Sequence, residues 1–194
     1  MALSQCFLLS FVVALFALLI ANAEKKITKY EDKDIYKFLN TTDKIWVYNT
    51  TEKRRGRTIC KYDLKCNISS NGTFFHRVSK ERPEELLRGE FLNWSATAPT
   101  EYNAMLVFNG SKRAVGLEVL EYASKAYYCA VFTVNLFRRG SPVYRELRVW
   151  DRALKKGPGS GCTNKFDQLQ RNLNQSAKSH YSRTCQSLPS SMRC

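Results

Sequence analysis

The stretch from residue 127 to residue 150 most narrows what this chain can become. Tyr128, Ala130, Phe132, Val134 and Leu136 fall on one face by the period-two alternation of a strand. Arg139-Gly140-Ser141-Pro142 supplies the reversal, since Gly tolerates positive φ and Pro presets a turn. Tyr144, Glu146, Arg148 and Trp150 then share one face of the return strand. A hairpin of this length is not stable alone in water and demands a larger sheet or barrel.

The rest of the chain supplies it. Strand-like segments at 44–50, 57–67, 73–79, 86–95, 102–109, 114–122, 126–137 and 143–150 are separated by turn residues. Links such as Ser70-Asn71-Gly72 and Asn109-Gly110-Ser111 predict successive antiparallel hairpins. Eight up-and-down strands can close into a barrel and so remove their edges. A β-sandwich is the rival, but it needs Greek-key crossovers that such short links do not favour. Ile35, Phe38 and Leu39 recur at helical spacing, with Glu31, Asp32 and Asp34 near the start, and predict a short helix over 31–39. After the Gly-rich linker 157–161, Thr163 is the expected N-cap of a second helix. Phe166, Leu169, Leu173 and Ala177 form its stripe, expected to pack on the outside of the barrel.

Residues 1–23 carry no Lys, Arg, Asp or Glu, and 7–20 are largely apolar before Ala21-Asn22-Ala23. That is the pattern of a cleaved secretory signal, too short for a comfortable membrane span. Residues 24–194 then form one domain by length, with no further span and a secreted, extracellular destination. The six cysteines left, Cys60, Cys66, Cys129, Cys162, Cys185 and Cys194, read as three disulfides. A metal site is not expected, because no Cys-x-x-Cys spacing exists and His76 and His180 sit near no matching pair. No cofactor is expected. Sequons at Asn40, Asn49, Asn67, Asn71, Asn93, Asn109 and Asn174 point to the same compartment and to outward-facing positions.

The net charge of +14 favours anionic partners in general. The run Lys53-Arg54-Arg55-Gly56-Arg57 reads first as a hairpin tip. Nucleic acid is not an expected partner of a secreted disulfide protein. Enzymatic activity is not expected either, since no Ser/His/acid or Cys/His set accompanies the two isolated histidines.

Sequon parity suggests what lines the barrel. Outward Asn49 turns Trp46 and Tyr48 inward. Outward Asn93 turns Glu90, Leu92 and Trp94 inward, and outward Asn109 does the same for Tyr102, Ala104, Leu106 and Phe108. Aromatic rings with an occasional acid suit a binding cavity, although the same rings could simply fill the barrel.

With its leader, short helix, eight strands, late helix and cysteine pattern, the chain resembles the salivary lipocalins of ticks, the histamine-binding proteins. The resemblance covers the whole chain after the leader. That family carries Cys-Asp-aliphatic, then Glu-Leu-aromatic, then Cys. Here the matching positions are Cys129-Ala130-Val131, Glu146-Leu147-Arg148 and Cys162, with 14 and 13 residues between them. Asp34-Ile35-Tyr36 echoes an early motif of the family. Two positions depart: Ala130 replaces an acid and Arg148 replaces a ring.

The resemblance implies a monomeric lipocalin that sequesters a host biogenic amine, histamine or serotonin, and so serves evasion of host defence. Its ligand set would be drawn from Asp34, Tyr36, Trp46, Glu90, Trp94, Phe108, Tyr128, Phe132, Tyr144, Glu146 and Arg148. A protonated amine needs carboxylates and ring faces. Ala130 removes one carboxylate, and Arg148 on the face of Glu146 would neutralise another. Alternation leaves open the opposite phase, in which Val143, Leu147 and Val149 point inward and Arg148 meets solvent. Arg148 and the basic total charge favour an anionic lipid such as a leukotriene or fatty acid. A third reading makes the barrel a scaffold whose surface binds a host protein or sulfated polysaccharide. The expected disulfides are Cys129–Cys162, with Cys60 and Cys66 joined to Cys185 and Cys194, in that order or the reverse.

Overall fold

The computed structural model describes residues 33–53, 60–94 and 102–188. The expected leader at 1–23, the tip of the basic run at 54–57 and Cys194 lie outside the described residues.

The chain forms a closed, eight-stranded, antiparallel up-and-down barrel, consistent with a lipocalin fold. A short helix α1 (Ile35–Leu39) precedes β1 (Ile45–Thr50), β2 (Tyr62–Ser69), β3 (Gly72–Ser79) and β4 (Arg82–Leu92). Next come β5 (Ala104–Phe108), β6 (Ala114–Ala123), β7 (Cys129–Leu136) and β8 (Tyr144–Trp150). A helix α2 (Ser160–Asn172) and a two-residue strand β9 (Lys178–Ser179) follow. Each strand pairs with the next, and β8 pairs with β1. Closure between β1 and β2 is brief: Ile45 faces Asp63 and Trp46 faces Tyr62. Beyond that point β9 takes over the same edge of β1 at Asn49 and Thr50. The barrel therefore leaves little of that edge open to another chain.

Each of the eight segments expected from the sequence contains a strand among its described residues. β4 begins four residues before the expected Leu86, because Pro83 sits at a hairpin tip where its missing N–H costs little. The second helix begins at Ser160 rather than after Thr163. Gly159 is its N-cap, and the Thr163 hydroxyl instead donates to the carbonyls of Gly159 and Ser160. Of its stripe, Phe166 and Leu169 face the barrel, Leu173 is 48% exposed and Ala177 lies past the helix end.

Three apolar clusters result. The inner one joins α1 (Ile35, Phe38, Leu39) to Ile45, Phe91, Met105, Leu120, Phe132, Tyr144 and Trp150. α1 closes one end of the barrel: the Phe38 ring lies 5.4 Å from Phe132 and 6.2 Å from Trp150, whose Nε1 donates to the Phe38 carbonyl at 3.1 Å. Outside, Cys129, Val131, Leu147 and Val149 pack under Cys162 and Phe166 of α2, with Cys129–Cys162 joined. The helix comes close enough that a Cβ on Gly161 would meet the Tyr122 hydroxyl at 2.2 Å. On a second outer patch, Trp46, Tyr62 and Val78 lie under the C-terminal segment, held by Cys60–Cys185. Cys66 is also disulfide-bonded, while its expected partner Cys194 lies outside the described residues. None of the seven sequon asparagines is buried.

Candidate ligand site

Residues of alternating parity on β7 and β8 face the lumen as the hairpin pattern requires. Ala130, Phe132 and Val134 on β7, and Tyr144 and Trp150 on β8, belong to the inner cluster. Leu147 and Val149 pack outside against α2, which excludes the opposite phase. Glu146 and Arg148 are therefore inside, both fully buried.

They belong to a larger set. Arg148 donates to Glu146 Oε2 from Nε at 2.8 Å and from Nη2 at 2.6 Å. Its Nη2 also lies 2.6 Å from Glu118 Oε2, and its Nη1 lies 3.8 Å from Asp63 Oδ2. Lys61 Nζ donates to the other Glu146 oxygen at 2.6 Å. Arg77 binds both oxygens of Asp63, at 2.8 and 2.7 Å, and reaches Glu118 Oε1 at 2.9 Å. The Arg148 guanidinium sits 4.3 Å from the centre of the Phe132 ring, and Arg77 sits 5.2 Å from Phe75. Three cations, Lys61, Arg77 and Arg148, thus face three carboxylates, Asp63, Glu118 and Glu146, across the lumen.

This balance makes burial tolerable, because an unpaired interior charge is costly. Burial by itself pushes the Glu146 carboxyl up, but Lys61, Arg148 and Arg77 together outweigh it and hold it well below the ordinary carboxylate range. Asp63 is held low in the same way, against burial, by Arg77, Arg148 and Lys61. Burial, and then the negative charge of Glu146, pushes the Tyr144 hydroxyl well above its ordinary value. Solvent contact within the layer is unequal. The Arg77 and Lys61 side chains remain 17% and 12% exposed, whereas Asp63, Glu118 and Glu146 are 6%, 1% and 0% exposed.

The end opposite α1 opens as a mouth. A cleft of about 430 Å³ there is lined by Tyr144 and Leu136 and by the connections that carry Glu52, Lys53, Glu81, Arg82, Arg138 and Arg139. Lys61 enters the lumen from the β1–β2 connection at this same end.

The sequon parity does not survive. Trp46 is buried in the outer patch, with its Nε1 donating to Asp151 at 2.6 Å, and Tyr48 stacks on Tyr181 outside the wall. The reason is a bulge at Tyr48: Tyr48 shares the outer face of Trp46, and Asn49, opposite the outward Leu147, falls on that face as well. Glu90 is on the outer face, paired with Arg88, in a cleft of about 480 Å³ that includes Phe74 and Tyr102. Trp94 is 61% exposed. Leu87 and Phe91 face the lumen instead, because Asn93 lies past the end of β4 and reports nothing about its phase. Phe108 lies outside under Arg88, at 4.5 Å, while Met105 and Val107 point in. Asn109, like Asn93, lies past the end of its strand and does not report the phase of β5.

Among the other expected ligand residues, Asp34 accepts from Lys37 N as the N-cap of α1. Tyr36 meets the edge of Phe91, and Tyr128 is 47% exposed beside Trp150. Only Phe132, Tyr144, Glu146 and Arg148 of the expected set meet in the charged part of the lumen. Lys61, Asp63, Arg77 and Glu118 were not expected there. Part of their signal was present: β3 carries Arg77 on the parity of inward Phe75, and β6 carries Glu118 on the parity of inward Leu120.

The chain matches no protein-family model and no curated protein. No group of metal ligands occurs among the described residues, and no helix there is long and apolar enough to cross a membrane. The barrel is compatible with binding a small ligand, and the two described disulfides are compatible with secretion.

Proposed function

We propose that this is a secreted lipocalin-type protein that sequesters a small amphipathic anion, of the fatty-acid or leukotriene kind, taken in at the mouth. One observation carries the reading: the part of the buried charge layer that keeps contact with solvent is cationic. Arg77 and Lys61 remain partly exposed, and every carboxylate of the layer is covered. The ligand's carboxylate meets these two cations, and its chain lies against Tyr144, Leu136 and the apolar lumen. An excess of cations over acids around the mouth steers an anion inward. The protein binds as a monomer and does not transform its ligand.

A protonated amine, which the family resemblance implies, fits less well. Glu146 already accepts from Lys61 and Arg148, and Ala130, fully buried opposite Arg148, offers no carboxylate. An amine would have to displace Lys61 before it met Glu146. Withdrawing a mediator of host defence by such binding is the role that suits the resemblance.

Calorimetric titration of the secreted protein with arachidonate, a leukotriene, histamine and serotonin tests this. The two anions should bind, and Lys61→Gln should weaken them by roughly tenfold, the order of one charged hydrogen bond. Binding of either amine without binding of either anion would sink the proposal.

A further inference from the structure

The mouth end carries a cluster of exposed cations that the lumen does not require. At the mouth, Lys53, Arg82, Arg138 and Arg139 are exposed around the cleft. Lys80, Lys112 and Arg113 add three exposed cations on the adjoining β3–β4 and β5–β6 turns. The acids at this end among the described residues are Glu52 and Glu81 on the connections, with Glu84 and Glu85 beside Arg82 at the start of β4. At the closed end Lys37 pairs with Asp34 and Arg152 pairs with Asp43, while Lys125 on the β6–β7 turn and Lys155 and Lys156 after β8 are exposed. The β7–β8 connection also bears apolar side chains in the open. Phe137 is 46% exposed and Val143 is 38% exposed, on either side of Arg138 and Arg139.

We propose that the mouth end docks on an anionic phospholipid surface, with the β7–β8 loop as its contact. The combination selects this partner. Cations clustered at one end are attracted to anionic headgroups over about a Debye length. A ring and an aliphatic side chain beside them can enter the interface, as amphipathic anchors do. A sulfated polysaccharide would engage the cations and leave Phe137 and Val143 exposed. The docked pose sets the open end of the barrel against the bilayer and leaves α2 and the two described disulfides facing away from it or to the side. The inference concerns a surface and does not rest on the identity of the lumen ligand.

The test is co-sedimentation of the secreted protein with phosphatidylcholine vesicles, with and without phosphatidylserine and free of fatty acid. Binding should require phosphatidylserine and fall as salt is added. Arg138→Glu with Arg139→Glu should weaken it by roughly tenfold or more, from the per-cation contribution near such a surface. Lys125→Glu, an exposed charge reversal at the closed end, should have far less effect than Arg139→Glu alone. Phe137→Ser should weaken binding without changing its salt dependence. Circular dichroism confirms that each variant keeps its barrel. Equal binding to both vesicle types, or no loss in the Arg138/Arg139 variant, overturns the proposal. So does retention on heparin that ignores Phe137→Ser while vesicles are left unbound, which would assign the cations to a polysaccharide.

Discussion

Arg148 holds Glu146, two residues before it on the same strand, by donating to one carboxylate oxygen from both Nε and Nη2, at 2.8 and 2.6 Å. Side chains two apart on a strand share a face, so the pair is local in sequence yet wholly buried in the barrel. Its surroundings make it one part of a balanced layer rather than an isolated ion pair.

That balance predicts an asymmetric response to substitution. Arg148→Met leaves Glu146 and Glu118 short of a cation and should cost about 3–5 kcal/mol of stability. Adding Glu146→Gln to Arg148→Met returns the layer to two cations against two acids and should recover part of the loss. Urea midpoints of the three proteins decide it. A double variant less stable than Arg148→Met would show that the layer is not held by charge balance.

Acid should weaken the fold through the same groups. Glu146 and Asp63 are held below their ordinary range in the folded protein, so the unfolded chain takes up protons first as pH falls. Their stabilising contribution is complete above the ordinary carboxylate range. It is lost progressively from roughly pH 5 downward, as the folded-state values are approached. Melting temperature measured against pH should fall steeply on the acid side, and less steeply in Glu146→Gln. Parallel curves would remove these carboxylates from the account.

The plug at the closed end should be the most cavity-sensitive site. Phe38 is fully buried against Phe132 and Trp150, and α1 has only five residues to hold it. Phe38→Ala should cost about 3–5 kcal/mol, because it removes a fully buried ring and leaves a cavity between Phe132 and Trp150. A thermal midpoint unchanged from the parent would mean that α1 does not seal the lumen.

Loss of Cys60–Cys185 should be felt at Trp46. The bond spans 125 residues, and in the chain-entropy model its removal costs about 5 kcal/mol. It also frees the segment that covers Trp46 and Tyr62. In Cys60→Ser with Cys185→Ser, tryptophan emission should move to longer wavelength and proteolysis near Tyr181 should quicken. The Cys129→Ser and Cys162→Ser variant, whose bond lies under α2, should leave that emission in place. Identical spectra for the two variants would contradict this division.

The barrel itself was legible along the chain. Eight alternating segments joined by short polar turns leave few other ways to bury one face of each strand, and the hairpin of β7 and β8 carries its inward residues in unbroken phase. So Phe132, Tyr144, Glu146 and Arg148 were found by counting in twos. Trp46, Glu90, Trp94 and Phe108 were misplaced by the same count, because a bulge in β1 and the ends of β4 and β5 each fall between the sequon and the inward residues. Such slips turn side chains to the other face and leave no mark on local composition. The partners of Arg148 were decided only in three dimensions. Glu118 and Asp63 sit on strands far from β8 in sequence, and closure of the barrel brings them within 2.6 and 3.8 Å of the Arg148 guanidinium. Alternation reports which way a residue points, whereas the charge it meets across the lumen depends on strand order, register and shear.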